Sequence, residues 1–303
     1  MGARHELPPA VLAALRPTLG VLTDLRSVGG GDTSAAVRAT SARRGAVFVK
    51  YAVGPAGQTY GAEADGLAAL RRAAQRAGVD DDIAVPSPLA QAAPTVYAPG
   101  YLVLPWLERG DAAPAGWTRF GEGLARLHQG SDDAVEGYGW TRDNFLGPEP
   151  QPNAPHTNWP DFFRERRLLA MAARMRARGR WRRDWDGPLE ALSQKLDTLL
   201  PAAPPPALLH GDLWAGNAMA LGGGRFALID PAVYRGHHEV DLALAELFGG
   251  YPPAFADGYH GVTPRETGFA ERRDLYQLYY LMMHLGISMS YGARVEAILR
   301  RYG

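Results

Sequence analysis

The chain has 303 residues, 46% apolar and 21% charged, which is room for one large domain or two lobes around a substantial core. Its 32 basic and 32 acidic side chains cancel, so no broad basic footprint for nucleic acid is expected. With no cysteine, disulfides, thiolate metal sites and a cysteine nucleophile are excluded.

The first residues, Met1-Gly2-Ala3-Arg4-His5-Glu6, lack the apolar run of a signal peptide, and a cytoplasmic location is expected. A short helix is expected over 8–19, then strands over 22–28, 35–40 and 46–52, the last two joined by a hairpin-length link. Gly29-Gly30-Gly31-Asp32 lies between the first two strands. Apolar residues near a 3.6 period predict a helix over 59–77, and a strand over 101–107 follows the turn Ala98-Pro99-Gly100. Beyond residue 108 the pattern turns helical. An amphipathic helix covers 117–129, and the Gly-, Pro- and Asn-rich stretch 131–158 reads as a long loop. Helices are expected over 160–179 and 187–200, a buried strand at 207–209, and a hairpin of 218–221 with 225–229 around Gly222-Gly223-Gly224. Helices fill most of 238–249 and 269–302. The most apolar of them is interrupted by Gln277, His284 and Gly286, so it reads as a core helix rather than a membrane span.

Strands with one helix, a connector, then helices enclosing a small hairpin define an α+β class. The order is that of a bilobal, protein-kinase-like fold. The smaller lobe (1–107) would have an antiparallel sheet and one helix, the larger (108–303) would be mainly helical, and nucleotide would lie between them.

His210-Gly211-Asp212-Leu213-Trp214-Ala215-Gly216-Asn217 fits the kinase catalytic-loop spacing His-x-Asp-Leu-x-x-x-Asn. Asp230 ends the following hairpin, where kinases carry a second metal-binding aspartate. Phosphoryl transfer needs a carboxylate to take the hydroxyl proton and hard oxygen ligands for Mg2+ against the phosphates. Asp212 is therefore the candidate base, with Asn217 and Asp230 as candidate metal ligands. These residue types are also common in surface turns, but a turn does not explain a polar loop between two apolar strands. Lys50 lies in Val47-Phe48-Val49-Lys50, a phosphate-anchoring strand pattern, and Glu63 is its natural helix partner. Only Lys50 and Lys195 are lysine among the basic residues, so a lysine here invites a role that arginine does not fill. Gly29, Gly30, Gly31 and Asp32 would cover the phosphates through backbone N–H groups, although triple glycine alone is an ordinary hairpin turn. Leu104, Pro105, Trp106 and Leu107 would form the connector against adenine. The pair His237-His238 fits a helix start or a substrate loop better than a metal site. Asp241 is expected to brace the catalytic loop, and the tyrosines at 276, 279 and 280 to pack.

Taken together, the chain resembles the fructosamine kinase (ketosamine 3-kinase) family. The resemblance runs through Phe48-Val49-Lys50, Asn144-Phe145-Leu146-Gly147, Pro150-Gln151-Pro152-Asn153, Asn158-Trp159-Pro160-Asp161-Phe162-Phe163 with Arg167-Leu168, and His210 to Asn217. It continues through Ile229-Asp230-Pro231-Ala232 to Gly236-His237 and Phe248-Gly249-Gly250-Tyr251. It implies ATP- and Mg2+-dependent phosphorylation of the 3-hydroxyl of a ketoamine, free or on a glycated protein, with Trp214 and His237 facing the sugar and deglycation as the outcome. Trp214 and the Gly-Gly-Tyr segment stand against an aminoglycoside, choline or homoserine kinase. A non-catalytic nucleotide-binding kinase-like protein is the other rival. Gly31-Asp32-Thr33-Ser34 and Pro105 depart from the family pattern, in the phosphate loop and the connector.

Overall fold

Val37, Ala39, Val47 and Val49 recur at every second position and are fully buried, as strands with one face on a core require. The computed structural model describes residues 7–29, 34–130 and 135–303. The chain opens with α1 (Pro9–Leu19), β1 (Leu22–Val28), β2 (Ala35–Ser41) and β3 (Gly45–Ala52). Then come a short α2 (Gly54–Gln58), α3 (Tyr60–Arg76), β4 (Ile83–Ala84), β5 (Ala90–Ala92) and β6 (Gly100–Pro105). Five strands form one antiparallel sheet in the order β1-β2-β3-β6-β5. Val11, Leu15 and Leu19 of α1 cover one face, while Tyr60, Ala64 and Leu67 of α3 meet Leu102 and Leu104 on the other. The expected strand over 101–107 stops at Pro105, which has no N–H to continue the ladder; only the Trp106 amide makes one further bond, 3.0 Å to the Ala46 carbonyl. The helix expected from 59 is preceded by the separate turn α2.

The second half holds α4 (Pro114–Gln129), β7 (Asn144–Leu146), β8 (Glu149–Gln151) and α5 (Trp159–Phe162), which runs through a π-helical segment, Phe163–Leu169, into α6 (Ala170–Ala177). Next are α7 (Asp186–Leu199), β9 (Ala207–Leu209), β10 (Ala218–Ala220), β11 (Phe226–Leu228) and β12 (Tyr234–Gly236). The chain ends with α8 (Glu239–Leu247), α9 (Pro253–Val262), α10 (Phe269–Leu285) and α11 (Gly292–Tyr302). One large core joins these helices, with Trp159, Trp185 and Tyr276 fully or almost fully buried. β9 pairs with β12, and β10 pairs with β11. β4, from the first half, adds a parallel strand to β11 and stitches the halves together.

Three further features differ from the sequence expectation. The stretch read as a loop contains the β7–β8 hairpin, turning at Gly147 with φ +55°. The long final helix is broken by a 3₁₀ turn at Met289–Tyr291, where the Ser288 side chain accepts from the Ser290 amide. α9, rich in proline and glycine, was absent from the expectation. Among the described residues no helix is long and apolar enough to cross a membrane.

Candidate active site

β9 ends at Leu209, and the chain must turn at once because Ala232 lies against it. Gly211 has φ +80°, and a Cβ there would sit 2.0 Å from the Ala232 carbonyl oxygen, so only glycine fits. The turn is braced from below by Asp241, the fully buried carboxylate near the start of α8. Its two oxygens accept the His210 and Gly211 amides at 2.7 and 2.9 Å. His128 on α4 lies 3.3 Å from the same carboxylate, and the Tyr280 hydroxyl donates to the Gly211 carbonyl at 2.8 Å. The bracing role expected of Asp241 is thus the one its contacts describe. Tyr280 and His128 were missed as supports, since a tyrosine in an apolar helix and a histidine at a helix end carry no local signal of a distant partner.

His210 accepts the Asp212 amide at Nδ1 (3.2 Å) and contacts the Ile229 carbonyl through Nε2 (3.0 Å), an arrangement that needs the neutral ring protonated on Nε2. Burial holds its pKa below the ordinary value, outweighing the attraction of Asp241. Asp212 follows, with its carboxyl pushed up to about 7 by burial and the nearby charge of Asp230, against the opposing hydrogen bond from Asn217. The Asn217 amide nitrogen donates to the Asp212 carbonyl at 2.8 Å and to its carboxylate at 3.1 Å. The β10–β11 hairpin then returns the chain, the Ile229 amide donating to the Asn217 carbonyl at 3.1 Å.

Lys50, on the central strand β3, reaches across to this return point. Its ammonium lies 2.5 Å from the Glu63 carboxylate of α3 and 2.7 Å from Asp230 Oδ1. Burial disfavours its charge, but the two carboxylates outweigh that and hold it firmly protonated. Glu63 is raised by its burial despite the lysine, whereas Asp230 is lowered because the lysine outweighs its desolvation. Asp230 itself has φ +52°, an uncommon backbone conformation for a residue with a side chain. Lys50, Glu63, Asp212, Asn217 and Asp230 are therefore brought together, as the motif spacing implied.

Of the glycine-rich segment only Gly29 is described, exposed just beyond β1; Gly30, Gly31 and Asp32 lie outside the described residues. Leu104 is buried on α3, and Leu107 packs with Met219, Leu221 and Ala227 of the β10–β11 region. Pro105 pairs opposite Val47, and Trp106 lies 6.5 Å from Phe48, centroid to centroid. Trp214 is 44% exposed with its ring folded over Gly216, where a Cβ would come within 2.1 Å of it. The substrate contact expected of His237 is corrected: it is fully buried, bonded to the Tyr276 hydroxyl at 2.8 Å, and its carbonyl accepts the Val240 amide at the start of α8. Its place in the core, under Trp159, leaves no face for a sugar. His237, His238 and Glu239 are close enough to share a cation, but both Glu239 oxygens are already held by Arg272 at 2.5 and 2.7 Å.

A family model described as "Fructosamine kinase" matches residues 12–302. The "Probable ketoamine kinase" of Synechocystis is 40% identical over 240 residues, 79% of this chain and 77% of that protein. One from Enterococcus faecium is 35% identical, over 67% and 72%. Among solved structures, a provisionally assigned fructosamine-3-kinase from Thermobifida fusca superposes with a TM-score of 0.82, 29% identity and coverage of 96% and 97%. An aminoglycoside phosphotransferase bound to AMP-PNP and hygromycin B shares the fold, with a TM-score of 0.64, 16% identity and coverage of 97% and 98%.

Proposed function

The chain belongs to the fructosamine kinase family, phosphotransferases acting on ketosamines, and on that premise we propose that it moves the γ-phosphoryl group of ATP to the sugar 3-hydroxyl of a fructosyl- or ribulosyl-amine. The observation that carries this reading is Lys50 meeting Glu63 and Asp230 beside the Asp212–Asn217 pair. That cluster offers a cation for phosphate, a base and hard oxygen donors, the set phosphoryl transfer requires.

The donor set fits magnesium. Asn217 spends its amide nitrogen on Asp212, leaving its oxygen as the acceptor, and the Asp230 side chain is half exposed. Magnesium, when bound, would supply positive charge against the phosphate oxygens. Asp212 accepts the proton of the attacking hydroxyl, and its raised pKa suits a base working near neutrality. Lys50 anchors phosphate and is kept charged and aimed by Glu63. Leu104 to Leu107 face adenine, with Leu107 on the apolar floor of Met219 and Leu221. The exposed Trp214 ring offers a flat apolar face to the sugar. The 3-phosphate sheds its sugar from the amine, so the outcome is deglycation.

Phosphorus NMR of the protein with Mg-ATP and a panel of fructosyl- and ribulosyl-amines tests the reading. A sugar 3-phosphate resonance that disappears in Asp212→Asn is expected. Nucleotide consumption with no sugar phosphate would overturn the substrate assignment.

A further inference from the structure

The stretches Asn144 to Asn153 and Arg167 have no role in the chemistry described above, yet the structure joins them to it through buried bonds. Asn144, Gln151, Asn153 and Arg167 are at most 4% exposed. Arg167 stands in the π-helical segment, with its guanidinium over the Tyr234 ring at 3.9 Å, and donates to Asn153 Oδ1 at 2.7 Å. A guanidinium only donates, so this bond fixes which way the Asn153 amide faces. The Asn153 nitrogen donates to Asn144 Oδ1 at 2.9 Å, and the Asn144 nitrogen must then point onward, donating to the Val233 carbonyl at 2.7 Å. A second branch begins at Tyr279, whose hydroxyl donates to Gln151 Oε1 at 2.8 Å. The Gln151 nitrogen then donates to Asn144 Oδ1 at 2.8 Å and to the Ala232 carbonyl at 3.1 Å.

Both branches end on the two carbonyls that lie two and three residues after Asp230. The left-handed backbone of Asp230 is a conformation that persists only where its surroundings over-determine it. A third bond, from the Ala232 amide to the His210 carbonyl at 2.9 Å, ties the same segment to the catalytic loop. On the opposite side α3, which carries Glu63, rests directly on it: a Cβ at Gly66 would lie 3.2 Å from Pro231 and 3.4 Å from Val233.

We propose that Asn144, Gln151, Asn153 and Arg167, oriented with Tyr279, are positioning residues for phosphoryl transfer: a one-way chain of hydrogen bonds that fixes the backbone after Asp230 and so keeps its carboxylate in place beside Lys50, where it would hold a metal. The proposal rests on the reading of Asp230 as a magnesium ligand. Partners that orient a metal ligand typically change metal affinity or activity by about 10–100-fold when removed. All four side chains are buried, so their proposed effect is exerted through Asp230.

The test compares Gln151→Met, Tyr279→Phe and Asp230→Asn with the parent protein. Tyr279→Phe removes one hydroxyl and keeps the packing, so it remains informative if Gln151→Met fails to fold. Titration calorimetry of ADP with and without Mg2+ measures the metal-dependent part of nucleotide binding, and steady-state kinetics give kcat and the ketosamine KM. Expected for Tyr279→Phe and any folded Gln151→Met is a loss of metal-dependent affinity of about tenfold, a matching fall in kcat, and an unchanged ketosamine KM. Variants that are less thermostable yet bind Mg-ADP as the parent does, while Asp230→Asn does not, overturn the positioning role and leave Asp230 its metal. Unaltered metal dependence in Asp230→Asn removes the premise, and the proposal falls with it.

Discussion

At the scale of single residues the decisive quantity is the protonation of Asp212. Burial and the neighbouring Asp230 raise its carboxyl to about 7, above its ordinary 3.8. The proposed role as base requires the ionised form, so kcat should climb with pH along a limb centred near neutrality. The same shift has a stability consequence of opposite sign. Folding favours the protonated form, so this group's contribution is fully present below 3.8 and is lost as pH rises through about 7. Asp230, held low by Lys50, works the other way and contributes above its unfolded value. Asp212→Asn should therefore lower turnover by about two to four decades, while its melting temperature falls less than the parent's between pH 5 and pH 8. A variant with parental turnover would remove Asp212 from the chemistry. Most of this site was legible in advance because short spacings encode it: a catalytic loop and hairpin put Asp212, Asn217 and Asp230 within a stretch of nineteen residues. His237 was misjudged because adjacency to a polar loop says nothing about which side chains turn inward.

At the scale of elements the sequence was a good guide where one period ruled and a poor one where glycine had a packing role. β2 and β3 alternate, and β1, β2, β3 and β6 begin and end within two residues of where they were expected. α9 was invisible, since Gly258 and Gly261 read as breakers. The structure gives Gly258 a different reason. A Cβ there would lie 2.1 Å from the Thr118 carbonyl oxygen, and one at Gly121 on α4 would lie 2.1 Å from that of Phe255. The two helices cross backbone to backbone at these glycines, so side chains are excluded by contact rather than by conformation. Gly258→Ala should accordingly cost about 1–3 kcal/mol of stability through overpacking, seen as a lower melting temperature in calorimetry. An unchanged transition would show that the crossing can open at no cost. The β7–β8 hairpin was hidden for a different reason: the three-residue strands Asn-Phe-Leu and Glu-Pro-Gln are too short to show a period, and the packing of Leu146 with the tertiary hydrogen bonds of Asn144 and Gln151 makes them core.

Across the whole molecule, the site exists only because distant parts of the chain close on one another. Lys50 and Asp230 are 180 residues apart and lie 2.7 Å from contact atom to contact atom. β4 pairs with the second-half strand β11, and α3 packs through Gly66 on Pro231 and Val233 of the segment after it. A ligand held by Lys50 from above and by Asn217 and Asp230 from below binds the assembled molecule and not the unfolded chain, so it must raise the melting temperature. At a hundredfold excess over its dissociation constant the gain is about 2.7 kcal/mol, which for a chain of this size is a shift of roughly 5 °C. Mg-ATP should produce that shift in the parent protein and in Asp212→Asn, whose lost group is proposed to handle a proton rather than the phosphates. Lys50→Met should lose most of it. That variant also strands Glu63, 11% exposed, without its cation, so its unliganded melting temperature is the reference for its own shift. A full shift in Lys50→Met would mean that phosphate is anchored without the lysine, and the cluster of Lys50, Glu63 and Asp230 would then brace the two halves rather than hold the nucleotide.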